Sequence, residues 1–389
     1  MHLNHALKSS LNSREQSNTL RCLKNIAKIS ANLLQINGQE YINFASNDYL
    51  GLSNSSLLKE ASIKYINLFG VGATASRLMS SNLELYANLE SKIARFKGSE
   101  SALILNSGFA GNFSVIEALG RISIVLMDKL AHKSIILGAS LNDFKRFKHN
   151  DIDDLQIKIE SLRPGKNVNK FPIIVTESVF SMDGDLCDIN SIVNIADLNS
   201  AAIYIDEAHA TGVFGHNGSG LMHVNKDNQI VFGTFSKAFG SFGAYIACSN
   251  LVKQYLVNYC SSLIYSTSLP PSVLGSIEAG LDLVPELNND RSRLMGMSNY
   301  LRQELNAIGF DTGHSRSQII PIIFKSNDIV KKISNYLNDN FIFAPVILPP
   351  TVNNPRIRFS LTSCHTESQI DYLLLVLKRY LKNNRHIDE

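Results

Sequence analysis

Six short apolar runs punctuate the middle of the chain, at 102–105, 124–127, 173–175, 202–205, 230–232 and 244–247. None alternates apolar with polar, so each reads as a strand buried on both faces. The helical stretches between them predict a mostly parallel sheet covered by helices on both sides. Residues 1 to about 36 read as helix closed by a turn at Asn37-Gly38, with 41–44 alternating as a short strand. After Pro270-Pro271 a helical pattern runs to Leu283, and Asn288-Asn289-Asp290 punctuates the chain. Beyond it, strand patterns at 319–324 and 356–361 mix with helical ones at 328–337 and 367–381, as in a small α+β domain. The expected organisation is an N-terminal arm with a short strand over 1–50, a large α/β domain over 51–287 and a smaller C-terminal domain over 288–389.

Composition sharpens this picture. The chain has 389 residues, 44% of them hydrophobic, and carries 37 Lys+Arg against 34 Asp+Glu for a net charge of +3. That is enough apolar material for a large core and excludes a disordered or fibrous protein. Single cores stop growing at about 250–300 residues, so more than one folding unit is expected. The charge is spread without a Lys/Arg block, which leaves no electrostatic footprint for nucleic acid or anionic lipid. Cys22, Cys187, Cys248, Cys260 and Cys364 form an odd set with no CxxC, arguing against a disulfide framework or a zinc site. The polar N-terminal stretch lacks the apolar segment of a signal peptide, and the apolar run at 373–377 is too short to span a bilayer. A soluble, cytoplasmic protein without a metal is expected.

In an open α/β sheet, ligands sit beyond the carboxyl ends of the strands. The runs here end in Asn106-Ser107-Gly108-Phe109, Asp128, Thr176-Glu177-Ser178, Asp206-Glu207-Ala208-His209 and Thr234-Phe235-Ser236-Lys237. Singly these residues read as caps and turns; gathered on one sheet edge they make a site. Ser107-Gly108-Phe109 at a strand-to-helix junction suits a phosphate, and Thr234 and Ser236 add hydroxyls to the same anion. Lys237, between Phe235 and Phe239, is placed to bond an aldehyde, and Asp206 to pair with a ring nitrogen that must stay protonated. Those requirements are the requirements of pyridoxal phosphate. Gly70-Val71-Gly72-Ala73-Thr74-Ala75 matches a dinucleotide pattern but precedes no clean helix, and reads as a backbone turn near a ligand or interface. His149-Asn150-Asp151 reads as a turn and cap.

Several longer motifs, in order along nearly the whole chain, resemble the α-oxoamine synthases. They are Ser46-Asn47-Asp48-Tyr49-Leu50-Gly51-Leu52, Ser107-Gly108-Phe109-Ala110-Gly111-Asn112, residues 176–185, Asp206-Glu207-Ala208-His209-Ala210-Thr211-Gly212 and Thr234-Phe235-Ser236-Lys237-Ala238-Phe239-Gly240. The resemblance implies a fold-type-I pyridoxal-phosphate transferase that condenses an amino acid with an acyl thioester and loses CO2. Tyr265-Ser266-Thr267-Ser268-Leu269-Pro270-Pro271 and Pro349-Pro350-Thr351-Val352 resemble the biotin-pathway branch, which implies L-alanine, a pimeloyl thioester on CoA or acyl carrier protein, and a homodimer.

Carried over by position, the resemblance makes Lys237 the cofactor lysine and Asp206 the ring-nitrogen partner, with His132 stacked on the ring and His209 on its phenolic oxygen. Gly108, Phe109, Ser181 and Thr234 hold the cofactor, Thr234 at the phosphate. Asn47 and Arg358 meet the amino-acid carboxylate, Arg21 and Thr351 lie along the acyl substrate, and Glu177 orders the site from behind. On the residues alone, His132 is equally a helix-start histidine, and Arg21 an exposed residue of an amphipathic N-terminal helix. Ser219 and Ala210 stand where relatives often have Arg and Gly, and Leu348 where the biotin branch usually has Arg before its Pro-Pro-Thr-Val run. Other readings are a sister synthase using glycine, serine or another acyl chain, a nicotinamide oxidoreductase built on 70–75, and a catalytically silent dimeric scaffold.

Overall fold

The computed structural model describes residues 2–17, 19–162 and 170–383. It divides into two compact units, one made of Asp48–Ser181 with Asp185–Arg293, the other of Met1–Asn47, Met182–Gly184 and Leu294–Glu389.

The larger unit is built on a seven-stranded sheet in the order Ser101–Leu105, Ala244–Cys248, Gln229–Thr234, Ala202–Asp206, Phe171–Glu177, Ser123–Asp128, Phe144–Phe147. All six apolar runs are strands of it. Five of those strands, four interior and the edge strand Ser101–Leu105, are buried along their entire length, as a sheet covered by helices requires. Pairing is parallel except at Ala244–Cys248, which runs antiparallel to both neighbours. The seventh strand, Phe144–Phe147, escapes an apolar-run search because Phe-Lys-Arg-Phe is mostly exposed. Its cations lie on a sheet edge, where charge discourages pairing with another chain.

Flanking helices begin where side chains can satisfy their first N–H groups. Ser107, Asp151 and Asp188 cap the helices Gly108–Gly120, Ile152–Glu160 and Ile189–Leu198. The helix Pro271–Leu283 opens on Pro271, whose missing N–H costs nothing there. Leu103, Val115, Ile116, Val125, Ile173, Tyr204, Phe232 and Ile246 form part of one continuous core. Each such buried side chain contributes about 1.5–3 kcal/mol relative to exposure. Segment 70–76 does not lead into a dinucleotide helix. Gly70, at φ 85°, ends the helix Ser56–Phe69, and a π-helical turn at Arg77–Ser81 follows.

In the smaller unit, helix occupies only Leu3–Gln16 of the arm, which corrects the expectation of helix to about residue 36. Leu33–Ile36 instead pairs antiparallel with Gln39–Asn43, with Leu33 opposite Ile42. Asn37 and Gly38 both take positive φ, 50° and 80°, the backbone that closes a two-residue hairpin. Lys28–Ile29 and Ile342–Phe343 complete that sheet, and Ile319–Ile323, Arg356–Ser360 and Val346–Ile347 form a second. The helices Asn327–Asp339 and Glu367–Asn383 match their patterns, while Asn288-Asn289-Asp290 open a helix, Asn288–Ala307. Among the described residues, no helix is long and apolar enough to cross a membrane.

Candidate active site

Parallel strands bring their carboxyl ends to one edge of the large sheet, and there the polar strand-ends meet. The amine of half-buried Lys237 lies 2.8 Å from His209 Nε2, and Tyr49 Oη lies 2.6 Å from His209 Nδ1. The imidazole is therefore held at both nitrogens. With Lys237 protonated, Nε2 accepts and the remaining N–H, on Nδ1, donates to the Tyr49 oxygen. Gly240 turns the chain just after Lys237 at φ 60°, and a Cβ there would lie 2.3 Å from the backbone nitrogen of Ser53, so only glycine fits.

Asp206 ends its strand almost fully buried, a position that demands hydrogen bonds for a carboxylate. Asn112 Nδ2 donates to Oδ2 at 2.6 Å and the Ala208 N–H to Oδ1 at 2.8 Å, while Tyr204 Oη donates to Asn112 Oδ1 at 2.5 Å. Glu177 lies directly beside Asp206 in the parallel ladder. Burial, with Asp206 adjacent, pushes the Glu177 carboxyl well above its usual range. Its Oε1 is buried with no hydrogen-bond partner among the described residues.

At the other end of this group, Thr234 Oγ1 donates to the Gly243 carbonyl at 2.8 Å and lies 2.8 Å from Ser236 Oγ. Gly108 faces it closely, since a Cβ there would stand 3.7 Å from Thr234 Oγ1. Gly108 and Phe109 open a helix whose first N–H groups have no intrahelical acceptor. His132 is the N-cap of the helix Lys133–Ala139, its Nδ1 accepting the Ser134 N–H at 3.3 Å. Its ring is exposed, with the exposed ring of Phe109 edge-on at 6.2 Å. The capping reading of His132 thus holds without excluding a face open to a ligand. Ser181 follows Phe180 in the turn closed by the Val179–Leu186 bridge.

The smaller unit holds the remaining expected residues in two pairs. Arg358, almost fully buried, donates from Nη2 to Asn47 Oδ1 at 3.3 Å and from Nη1 to Ser360 Oγ at 2.5 Å. Arg21 Nη2 donates to Thr351 Oγ1 at 3.3 Å, although 330 positions separate the two in sequence. Arg21 lies beyond the helix Leu3–Gln16, so its reading as an exposed helix residue is overturned. Leu348 accepts the Thr351 N–H through its carbonyl at 3.1 Å, and its side chain is half-buried.

The model of the family "Aminotransferase class I and II" matches residues 39–377. The chain belongs to this family. Its similarity to an 8-amino-7-oxononanoate synthase of Gluconacetobacter diazotrophicus is 39% identity over 382 residues, covering 95% of each chain. Among solved structures, a serine palmitoyltransferase carrying pyridoxal phosphate superposes with a TM-score of 0.91 over 100% of both chains at 24% identity, a likeness of fold. An 8-amino-7-oxononanoate synthase from Francisella tularensis superposes at 0.76 with 27% identity, over 89% of this chain and 99% of that one.

As a class I and II aminotransferase relative the chain is a pyridoxal-phosphate-dependent, acyl-transferring enzyme with a fold-type-I architecture. The residues present fit the cofactor. An amine stands where an aldehyde can reach it, a buried carboxylate is fixed by two donors, and hydroxyls face a helix N-terminus. Reading by strand-ends missed Asn112, Tyr204 and Tyr49. Asn112 left a signal, being a lone amide within the apolar helix Gly-Phe-Ala-Gly-Asn-Phe-Ser-Val-Ile. Tyr204 sits in an apolar strand and reads as core, and Tyr49 carries no signal apart from the motif that contains Asn47.

Proposed function

We propose that this chain is an 8-amino-7-oxononanoate synthase, joining L-alanine to a pimeloyl thioester with release of CO2 and the free thiol carrier. The observation that carries the reading is the Lys237 amine on His209 Nε2 at 2.8 Å, beside an Asp206 carboxylate tied to Asn112 at 2.6 Å. Identity of 39% to a relative of that name over almost its whole length supports the substrate class.

Bound pyridoxal phosphate supplies an aldehyde that condenses with amines and a protonated ring that accepts electron density from Cα. Asp206, fixed in place by its two donors, would pair with the ring nitrogen. Lys237 Nζ removes the Cα proton of alanine and returns a proton before product leaves. His209, braced by Tyr49, takes up the hydrogen of the Lys237 amine or offers one to the phenolic oxygen. Thr234 would hold the phosphate, with Gly108, Phe109 and Ser181 completing the cofactor's contacts, and His132 would lie against the ring and exclude water there. Arg358 and Asn47 bind the alanine carboxylate, a charge-assisted contact suited to a guanidinium. Arg21 and Thr351 line the acyl group. The enzyme works in the cytoplasm as a homodimer in which Tyr265, 85% exposed, meets the neighbouring copy.

A sister synthase using serine and a longer acyl chain is favoured by one observation, the higher TM-score to a serine palmitoyltransferase 25% identical to this chain. One experiment separates the readings. The protein purified with pyridoxal phosphate is reduced with borohydride and mapped, then assayed by mass spectrometry with alanine, glycine or serine and a series of acyl thioesters. Label on Lys237 with 8-amino-7-oxononanoate as the favoured product supports the proposal. Faster turnover of serine with a long acyl group selects the sister activity, and no label on Lys237 sinks both.

A further inference from the structure

The His149-Asn150-Asp151 motif is more than a turn and cap. Asp151 does cap the helix Ile152–Glu160, and Asn150 does turn at φ 49°. His149, however, is bracketed by two carboxylates. Its Nδ1 lies 3.0 and 3.2 Å from the Asp128 oxygens and its Nε2 2.8 Å from Asp185 Oδ2. A neutral imidazole has one N–H, so it would set a lone pair against one carboxylate; only the imidazolium donates to both. Asp128 is wholly buried and Asp185 nearly so, and no Lys or Arg pairs with either among the described residues.

Each of the two acids belongs to a turn that leads to an expected cofactor residue. Asp128 Oδ1 accepts the Leu130 N–H at 2.7 Å and its carbonyl the Ala131 N–H at 3.1 Å, which delivers the chain to His132. The Asp185 carbonyl accepts the Phe180 N–H at 3.1 Å, closing the turn that starts at Ser181, and the Phe180 ring meets the His149 ring edge-on at 4.4 Å. Asn150 ties the same two acids together, its N–H to Asp128 Oδ2 at 3.0 Å and its amide to Asp185 Oδ2 at 2.7 Å.

We propose that His149 is a positioning residue, a charged clamp that joins the turn before His132 to the turn after Phe180 and so sets both walls of the cofactor site. The function of those walls rests on the synthase reading; the clamp's charge does not. Facing His149 are Asp128 and Asp185; Glu177 feels the first of these and Cys187 both, and on its own turn Lys148 pairs with Asp151 at 3.9 Å. Burial disfavours the ion, but the two carboxylates outweigh it and push the His149 pKa up to about 10.

The test has three arms. Nitrogen NMR of 15N-histidine-labelled apoprotein at pH 8.5 should show His149 protonated at both nitrogens. A folded-state pKa raised from 6.5 to about 10 stabilises fully below pH 6.5 and progressively less up to 10. The melting-temperature gap between wild type and His149→Gln should therefore narrow across that window. In the holoenzyme, His149→Gln should lower kcat/KM for alanine by about tenfold or more and weaken the cofactor's visible circular dichroism, since two buried carboxylates then repel. Adding Asp185→Asn should recover at least part of both, because one repelling charge is gone. A His149 titrating near 6.5, or a double variant worse than the single, overturns the clamp. Absence of label on Lys237 in wild type would instead remove the synthase reading and leave the NMR arm to decide the clamp.

Discussion

Lys97 and Glu207 form an ion pair with both side chains fully buried, and Lys97 also donates to the Ser219 carbonyl. Glu207 Oε1 accepts the N–H groups of Leu221 at 2.6 Å and Met222 at 2.8 Å, so the pair pins the loop that follows Asp206 and carries His209. Lys97→Met keeps the apolar stem and removes the charge, leaving a carboxylate that water cannot reach. Breaking one side of a buried pair costs roughly 3–5 kcal/mol, against about 0–1 kcal/mol for an exposed pair. Lys226–Asp197, at 2.7 Å with side chains 48% and 40% exposed, is the internal control. Adding Glu207→Gln removes the stranded charge while its amide oxygen still accepts both N–H groups, so the double variant should regain about half or more of the loss. With no tryptophan in the chain, urea unfolding is followed by far-ultraviolet circular dichroism, alongside retained cofactor. A Lys97→Met loss no larger than that of Lys226→Met, or a double variant less stable than the single, would refute the reasoning.

Three further outcomes are expected. Lys237→Ala should retain the fold by circular dichroism yet lose turnover by at least about 10²–10⁴-fold, the range for losing a general base alone; near-wild-type turnover contradicts its role. Asn112→Leu takes from Asp206 a charge-assisted bond worth roughly 1.5–3 kcal/mol, so cofactor affinity should fall by about 10–100-fold in an equilibrium titration, and unchanged affinity would show the bond to be idle. Leu348 presents an apolar, half-buried side chain where the resemblance to the biotin branch implies Arg, so wild type should accept a pimeloyl methyl ester at least as well as the free acid. Leu348→Arg should shift kcat/KM toward the acid, and a mutant without that shift would detach this position from the acyl end.

Several features were legible in the chain alone because they are local. A run such as Ile-Val-Leu-Met declares a doubly buried strand by its own apolarity, and parallel order follows from the helices between runs. Once the sheet is parallel, Asp206, Glu177, Thr234 and Gly108 must share its carboxyl edge, so the gathering of polar strand-ends was readable before any coordinate. Contacts set by closure of the fold were not. The edge strand Phe144–Phe147 carries no apolar run, and residues 28–36 form strands only because Gln39–Asn43 folds back on them. Asn112 reaches Asp206 across 94 positions, Arg21 reaches Thr351 across 330, and His149 is charged only because Asp128 and Asp185 arrive on either side of one ring. Periodicity reports which face of an element is buried. Which side chain a buried polar group bonds depends on elements distant in sequence, and for His149 that partner decides the protonation state itself.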